Sequence, residues 1–115
     1  MEHYDWERVE REELGPGLAR QVIHTDRLTV ARIFLDKGAV VRRHQHENEQ
    51  VTMIQRGRLR FEIDGAVREA GAGEVMRIPP DAPHAVEALE DTLAIDVFCP
   101  RREDWIRGDD AYLRG

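Results

Sequence analysis

In "RLRFEIDGAVREA", residues 58–70, apolar and charged side chains alternate without a fault over the first six positions. Leu59, Phe61 and Ile63 share one face, and Arg58, Arg60 and Glu62 share the other. A period of two belongs to an extended strand with one buried face and does not fit the 3.6-residue turn of a helix. Asp64-Gly65 then interrupts the pattern, and this pair tolerates the positive φ angles that a two-residue hairpin turn demands. "AVREA" is the returning strand.

The same period runs outward from this hairpin. "RLTVARIFL" (27–35) is rich in β-branched and aromatic residues and stops at the turn signal "DKG". "AGAG" (70–73) breaks the chain after the hairpin, "EVMRI" is a further short strand, and "PPDAP" is a rigid turn. "HAVEAL" and "TLAIDVF" are two more strands, parted by Glu90-Asp91. Short strands at intervals of roughly 8–12 residues predict an all-β sandwich or barrel. Helix is expected only at the ends, in "YDWERVEREEL" before Gly15-Pro16-Gly17 and as a short turn in "RREDWIRGDDAYL". At 115 residues the chain reads as a single domain, 1–115. Its barrel core spans about 27–99, with an N-terminal extension 1–26 and a C-terminal tail 100–115.

Composition removes several classes of function. A formal net charge of -6 offers no basic face for a phosphate backbone, so no nucleic-acid partner is expected. No run approaches the length of apolar chain that spans a bilayer, so no membrane partner is expected either. Cys99 is the only cysteine, which excludes an intrachain disulfide and a thiolate zinc finger; it reads as a small buried filler. "MEHYDWERVEREE" has no apolar stretch of the signal-peptide kind, so the expected location is cytoplasmic. Trp6 and Trp105 are expected in packing roles, and His3 and His24 on the surface.

"HQHENEQ" (44–50) carries the chemistry. On a strand, His44 and His46 project from the same face, close enough for two imidazoles to share an ion. Gln50 has the same parity. A histidine pair at this spacing is also compatible with a solvated strand, and the pair alone does not decide between them. Arg42 shares parity with His44, which directs it to the same cavity or, equally, to solvent; Arg60 and Arg77 read as solvated strand-face residues.

Two spaced patterns extend the pair. Gly38, His44, His46, Gln50 and Gly57 fall at the positions of G-x5-H-x-H-x3,4-E-x6-G, and Gly73, Pro79 and His84 at those of G-x5-P-x-G-x2-H-x3-N. These resemble the two motifs of the cupin family. Gln50 departs from the glutamate, Asp81 from the central glycine and Ala88 from the terminal asparagine. Aspartate tolerates a left-handed turn better than most residues, so the change at Asp81 is mild. The resemblance, carried by Gly38 to Ala88, implies a double-stranded β-helix (jelly-roll) barrel in which His44, His46, Gln50 and His84 hold a divalent metal. Nickel, zinc, iron, manganese and cobalt all suit such ligands. With glutamine in place of glutamate the ion keeps its full double charge and acts as a stronger Lewis acid.

"HENEQ", "IPPDAPH" and "AIDVFCPRREDW" together are similar to the KdgF-type cupins of pectin and alginate breakdown, which linearise 4,5-unsaturated uronate monosaccharides. That resemblance implies a catalytic Asp96, an assisting and substrate-binding Arg102, a small anionic sugar-acid substrate and a homodimer. On the residues alone, "TLAIDVF" puts Ala94, Asp96 and Phe98 on one face, where Asp96 is either solvated or inside a pocket. A guanidinium at Arg102 offers the two-pronged fork that suits a carboxylate. Arg42 is a second candidate for substrate binding. Two other functions fit a three-histidine cupin: an iron-dependent dioxygenase, and a non-catalytic module that binds or senses a small molecule.

Overall fold

In the computed structural model, which describes residues 1–114, the central hairpin forms as the alternation requires. Strand β6 (Arg58–Ile63) pairs antiparallel with β7 (Ala66–Gly71), from Arg58↔Gly71 to Ile63↔Ala66. Asp64 and Gly65 take φ of 49° and 82°, the positive pair that matches the right-handed twist of the flanking strands. Leu59 and Phe61 are buried, and Ile63 packs against the same core. Burial of a side chain the size of Phe61 contributes roughly 2–3 kcal/mol.

The chain runs β1 (Glu12–Gly15), β2 (Leu18–His24), β3 (Thr29–Leu35), β4 (Val40–His44) and β5 (Glu49–Arg56) before this hairpin. After it come β8 (Val75–Ile78), β9 (His84–Ala88) and β10 (Thr92–Cys99), then α1 (Glu103–Arg107) and a 3-10 turn at Ala111–Leu113. Six strands form one antiparallel sheet in the order β1-β2-β3-β10-β5-β8, and four form a second, β4-β9-β6-β7. One core fills the space between them, drawing Leu35, Ile54 and Ala94 from the larger sheet and Leu59, Phe61 and Val86 from the smaller. This is the all-β jelly-roll barrel. Glycine is obligatory at Gly57, where β5 passes directly into β6: φ is +91° and a Cβ would lie 2.3 Å from the Asp91 carbonyl oxygen. Asp81 adopts φ 63°, the left-handed conformation expected of it.

The N-terminus departs from the helix expected there. "YDWERVEREEL" makes only a 3-10 turn at Trp6–Arg8, whose first N–H groups are met by the Asp5 carboxylate accepting from the Glu7 N–H at 3.0 Å. The remainder becomes edge strand β1, because Leu14 is the one apolar residue of Arg11–Gly15 and a helix there would bury no stripe. Gly15-Pro16-Gly17 acts as a hairpin turn rather than a helix stop, with Gly17 at φ +69°. β2 pairs with β3 at every residue from Leu18 to His24. Residues 12–24 are therefore strands of the larger sheet, and Leu14 and Leu18 join the main core.

At the other end, Gly108 stops α1 in a left-handed conformation, φ 84°, and Trp105 is buried as expected. Cys99 is exposed rather than buried: on β10 the inward set is Thr92, Ala94, Asp96 and Phe98, so the next residue turns outward. His3 is exposed, whereas His24 is half-buried with Nδ1 2.7 Å from the Thr29 hydroxyl. Among the described residues no helix is long and apolar enough to cross a membrane.

Candidate metal centre

β4 and β9 set the first pair of imidazoles opposite each other. Their register runs Val40↔Glu87, Val41↔Val86 and His44↔His84, so β4 advances three residues while β9 advances two. The extra residue is a bulge at Arg42-Arg43, and it reverses the parity of the strand. Val41 and His44 therefore face the same interior cavity, and Arg42 is turned to solvent with its Nη2 donating to the Ala111 carbonyl at 3.4 Å. The equal parity of Arg42 and His44 does not carry across the bulge, and Arg42 is not among the cavity residues. Arg60 and Arg77 also lie outside the cavity, Arg77 paired with Glu49 at 2.6 Å.

His46 follows in the loop that leads into β5. Buried Asn48 anchors this loop, its amide donating to the carbonyls of Pro100 and Arg101. The His44, His46 and His84 rings converge with centroids 4.2–5.6 Å apart, and one ring nitrogen from each lies within 4.8 Å of the others. Each Nδ1 faces a backbone carbonyl two residues away: Arg42 at 2.8 Å, Asn48 at 3.0 Å and Ala82 at 2.8 Å. A carbonyl only accepts, so every Nδ1 is the protonated nitrogen and every Nε2 keeps its lone pair. Such outer hydrogen bonds fix ring orientation in metal-binding histidines.

Electrostatics keep the rings neutral. Burial lowers the His44 pKa to about 3, aided by His84 and His46 and opposed by the bond to Arg42. Burial likewise lowers His46 to about 4, reinforced by Arg102 and His84. His84 is lowered by burial, with Arg102 acting in the same direction against the bond to Ala82. The Nε2 of His84 is buried with no hydrogen-bond partner among the described residues. An orphaned buried acceptor is costly, and a cation relieves that cost.

Gln50 is placed to offer a fourth donor atom. Its Oε1 lies 3.1 Å from His46 Nε2, two lone-pair atoms facing each other once Nδ1 carries the proton. Its amide nitrogen donates to Thr52 Oγ1 at 3.0 Å, and Thr52 donates to Asp96 Oδ1 at 2.6 Å. The direction of this chain turns the Gln50 oxygen toward the imidazoles. Three neutral nitrogens and one amide oxygen fit a divalent ion, and no residue of the set must lose a proton to take it.

Asp96 lies on β10 on the cavity face, between Ala94 and Phe98. Burial raises its pKa to about 6, against the lowering effect of the Thr52 hydrogen bond and of Arg102. A carboxyl with that value exchanges its proton near neutral pH. Arg102 is 1% exposed and lies over Phe98 and Trp105, 4.7 and 4.4 Å from their ring centroids. Its fork is already occupied: Nε donates to Asp104 Oδ1 at 2.9 Å and Nη2 to Oδ2 at 2.7 Å. Nη2 also donates to the Tyr112 hydroxyl at 2.7 Å. The two-pronged grip on a ligand carboxylate expected from sequence is thus spent on Asp104.

Tyr112 and Thr52 are the site residues that sequence reasoning missed. The Tyr112 ring stacks on His44 at 4.3 Å, and burial holds its phenol above the ordinary value against the pull of Arg102. Nothing local marks it, since its partners lie 10 and 68 positions away in the chain. Thr52 was legible only through parity with Gln50. The cavity these groups share holds about 60 Å3, with His44, Gln50, His84, Asp96, Arg102 and Tyr112 among its walls and apolar side chains such as Leu35, Phe61 and Val86 forming much of the rest.

Residues 31–99 match the family described as Cupin domain. The chain is similar to the solved structure of KdgF from Halomonas sp., with 31% identity and a TM-score of 0.85 over 91% of this chain and 98% of that one. An RmlC-like cupin from Shewanella frigidimarina is 33% identical, with a TM-score of 0.84 over 91% of this chain and 96% of that one. Oxalate decarboxylase from Bacillus subtilis, at 19% identity and a TM-score of 0.77 over 84% of this chain and 29% of that one, shares the fold. No curated protein matches the sequence.

Proposed function

The chain belongs to the cupin family, and from that premise we propose that it is a metal-dependent enzyme that opens 4,5-unsaturated uronate monosaccharides to their linear keto form. The observation that carries this reading is Asp96, a carboxyl with a pKa of about 6 in the same cavity as the neutral imidazoles of His44 and His84, on which His46 converges. His44, His46, His84 and Gln50 would hold a divalent ion, which supplies a Lewis acid for a ring or hydroxyl oxygen.

Ring opening is an isomerisation, so proton movement is the chemistry the protein must manage. The proton of the anomeric hydroxyl leaves, and the bond from the anomeric carbon to the ring oxygen breaks. The enolate so formed takes a proton at C4 and becomes the ketone, with no atom gained or lost overall. Asp96 suits both transfers, because a pKa of about 6 keeps it mainly a base near neutral pH with the acid form still within reach. Thr52 holds the carboxyl by donating to Oδ1. Arg102, rigid between two aromatic rings, contributes its remaining Nη1 to the substrate carboxylate.

The test is loss of the ultraviolet absorbance of the conjugated double bond, followed with purified, metal-loaded protein. The expected result is decay faster than the spontaneous rate. Asp96→Asn should slow it by roughly 10²–10⁴ with metal content retained, and His46→Ala should lose both metal and rate. Decay at the spontaneous rate refutes the substrate assignment. Oxygen consumption with an aromatic or thiol substrate would replace it with a dioxygenase, and tight ligand binding without turnover with a sensor.

A further inference from the structure

Tyr112 has a proton that no group among the described residues receives. Its hydroxyl oxygen accepts from Arg102 Nη2 at 2.7 Å and from Trp105 Nε1 at 3.1 Å. Both are donor-only groups, so the two bonds fill the oxygen's acceptor capacity and leave the O–H without a partner among the described residues. The residue lines the same cavity as Asp96, His44 and His84. Its position is fixed: the ring stacks on His44, the neighbouring Leu113 packs against the core, and Asp110 is bonded to both Arg20 and Arg114. A fixed phenol that borders a cavity and has a free donor is preorganised for a ligand contact.

The second half of the case lies in Arg102. With Nε and Nη2 committed to Asp104 and Tyr112, only Nη1 has no partner among the described residues, and Asp104 already balances the charge. One guanidinium nitrogen cannot orient a carboxylate by itself; two converging donors can.

We propose that Tyr112 is a substrate-binding residue whose hydroxyl donates to one oxygen of a ligand carboxylate while Arg102 Nη1 donates to the other. The pair selects sugar acids over neutral sugars, and the C-terminal turn Ala111–Leu113 is the element that sets this specificity. This rests on the uronate reading for the identity of the substrate, but the clamp itself requires only a carboxylate.

Metal-loaded wild type and Tyr112→Phe, which keeps the ring on His44 and deletes the hydroxyl, are compared by calorimetry. The probes are D-galacturonate, which has no double bond to react, and neutral D-galactose. The variant should bind galacturonate about tenfold more weakly, as for one lost bond to a charged group. Its galactose affinity should be unchanged, and with an unsaturated uronate the loss should fall on KM rather than kcat. Equal galacturonate affinity in the two proteins overturns the proposal. So does an equal loss for both probes, which would make Tyr112 a packing residue, and so does a fall in metal content, which would make it a support for His44. Wild type that fails to bind galacturonate also overturns it. Tyr112-dependent galacturonate binding without turnover of the unsaturated sugar sustains the clamp and refutes the reaction instead.

Discussion

Asp96 should cost the fold stability in proportion to its usefulness, and Asp96→Asn reads that cost directly. The aspartate titrates at 3.8 in ordinary surroundings and at about 6 in the folded, metal-free site, with burial as the main cause. A folded pKa above the unfolded one means that the contribution to stability is fully present below about pH 4 and is lost as pH rises through 6. Over that span of a little more than two pH units, at about 1.4 kcal/mol each, the ionised carboxyl destabilises the fold by about 3 kcal/mol. Water reaching the cavity wall reduces this to roughly 1–2 kcal/mol in practice. Asparagine keeps an oxygen for the Thr52 hydroxyl and carries no charge at any pH. The assay is urea unfolding of chelator-treated wild type and variant at pH 4, 6 and 8. The two proteins should be nearly equal at pH 4, and the inactive variant more stable by about 1–2 kcal/mol at pH 8. A difference that does not change with pH, or a weaker variant at pH 8, would falsify the burial argument.

Gly57→Ala should destabilise the protein by more than about 3 kcal/mol, since the residue combines a left-handed conformation with a Cβ position 2.3 Å from a backbone oxygen; an unchanged denaturation midpoint contradicts that geometry. At Asp110, burial alone would raise the pKa, but hydrogen bonds from Arg114 and Arg20 outweigh it and hold the carboxylate below 3.8. A depressed pKa gives stability that is present above 3.8 and lost as pH falls through the lower folded value, so Asp110→Asn should be weaker than wild type at pH 7 and approach it as the medium becomes strongly acidic. Parallel urea curves at neutral and strongly acidic pH check this.

How far the sequence reached depended on how local each feature is. Alternation is a property of consecutive residues, so the strand from Arg58, its turn at Asp64-Gly65 and the shared face of Ala94, Asp96 and Phe98 were all legible along the chain, whereas which way that last face points was not. The three histidines and Gln50 were legible through the resemblance to two cupin motifs, one spanning β4, the loop after it and the start of β5, the other ending at the first residue of β9. Where a strand's identity depends on its partner, the pattern misleads: "EREEL" has a composition that suits helix, yet it pairs with β2 because Gly15-Pro16-Gly17 folds it back.

What the sequence by itself determined is a set of alternating strands for an all-β sandwich or barrel, with histidines at spacings whose resemblance to the cupin motifs implied a metal site on the inner face. The tertiary structure alone decided who holds what. A bulge turned Arg42 out, since an added residue in one strand inverts parity without changing composition. Asp104 took the fork of Arg102, and the C-terminal turn brought Tyr112 onto His44. Those partnerships depend on register and chain reversal, which are set by the whole core at once and leave no trace in any short stretch of sequence.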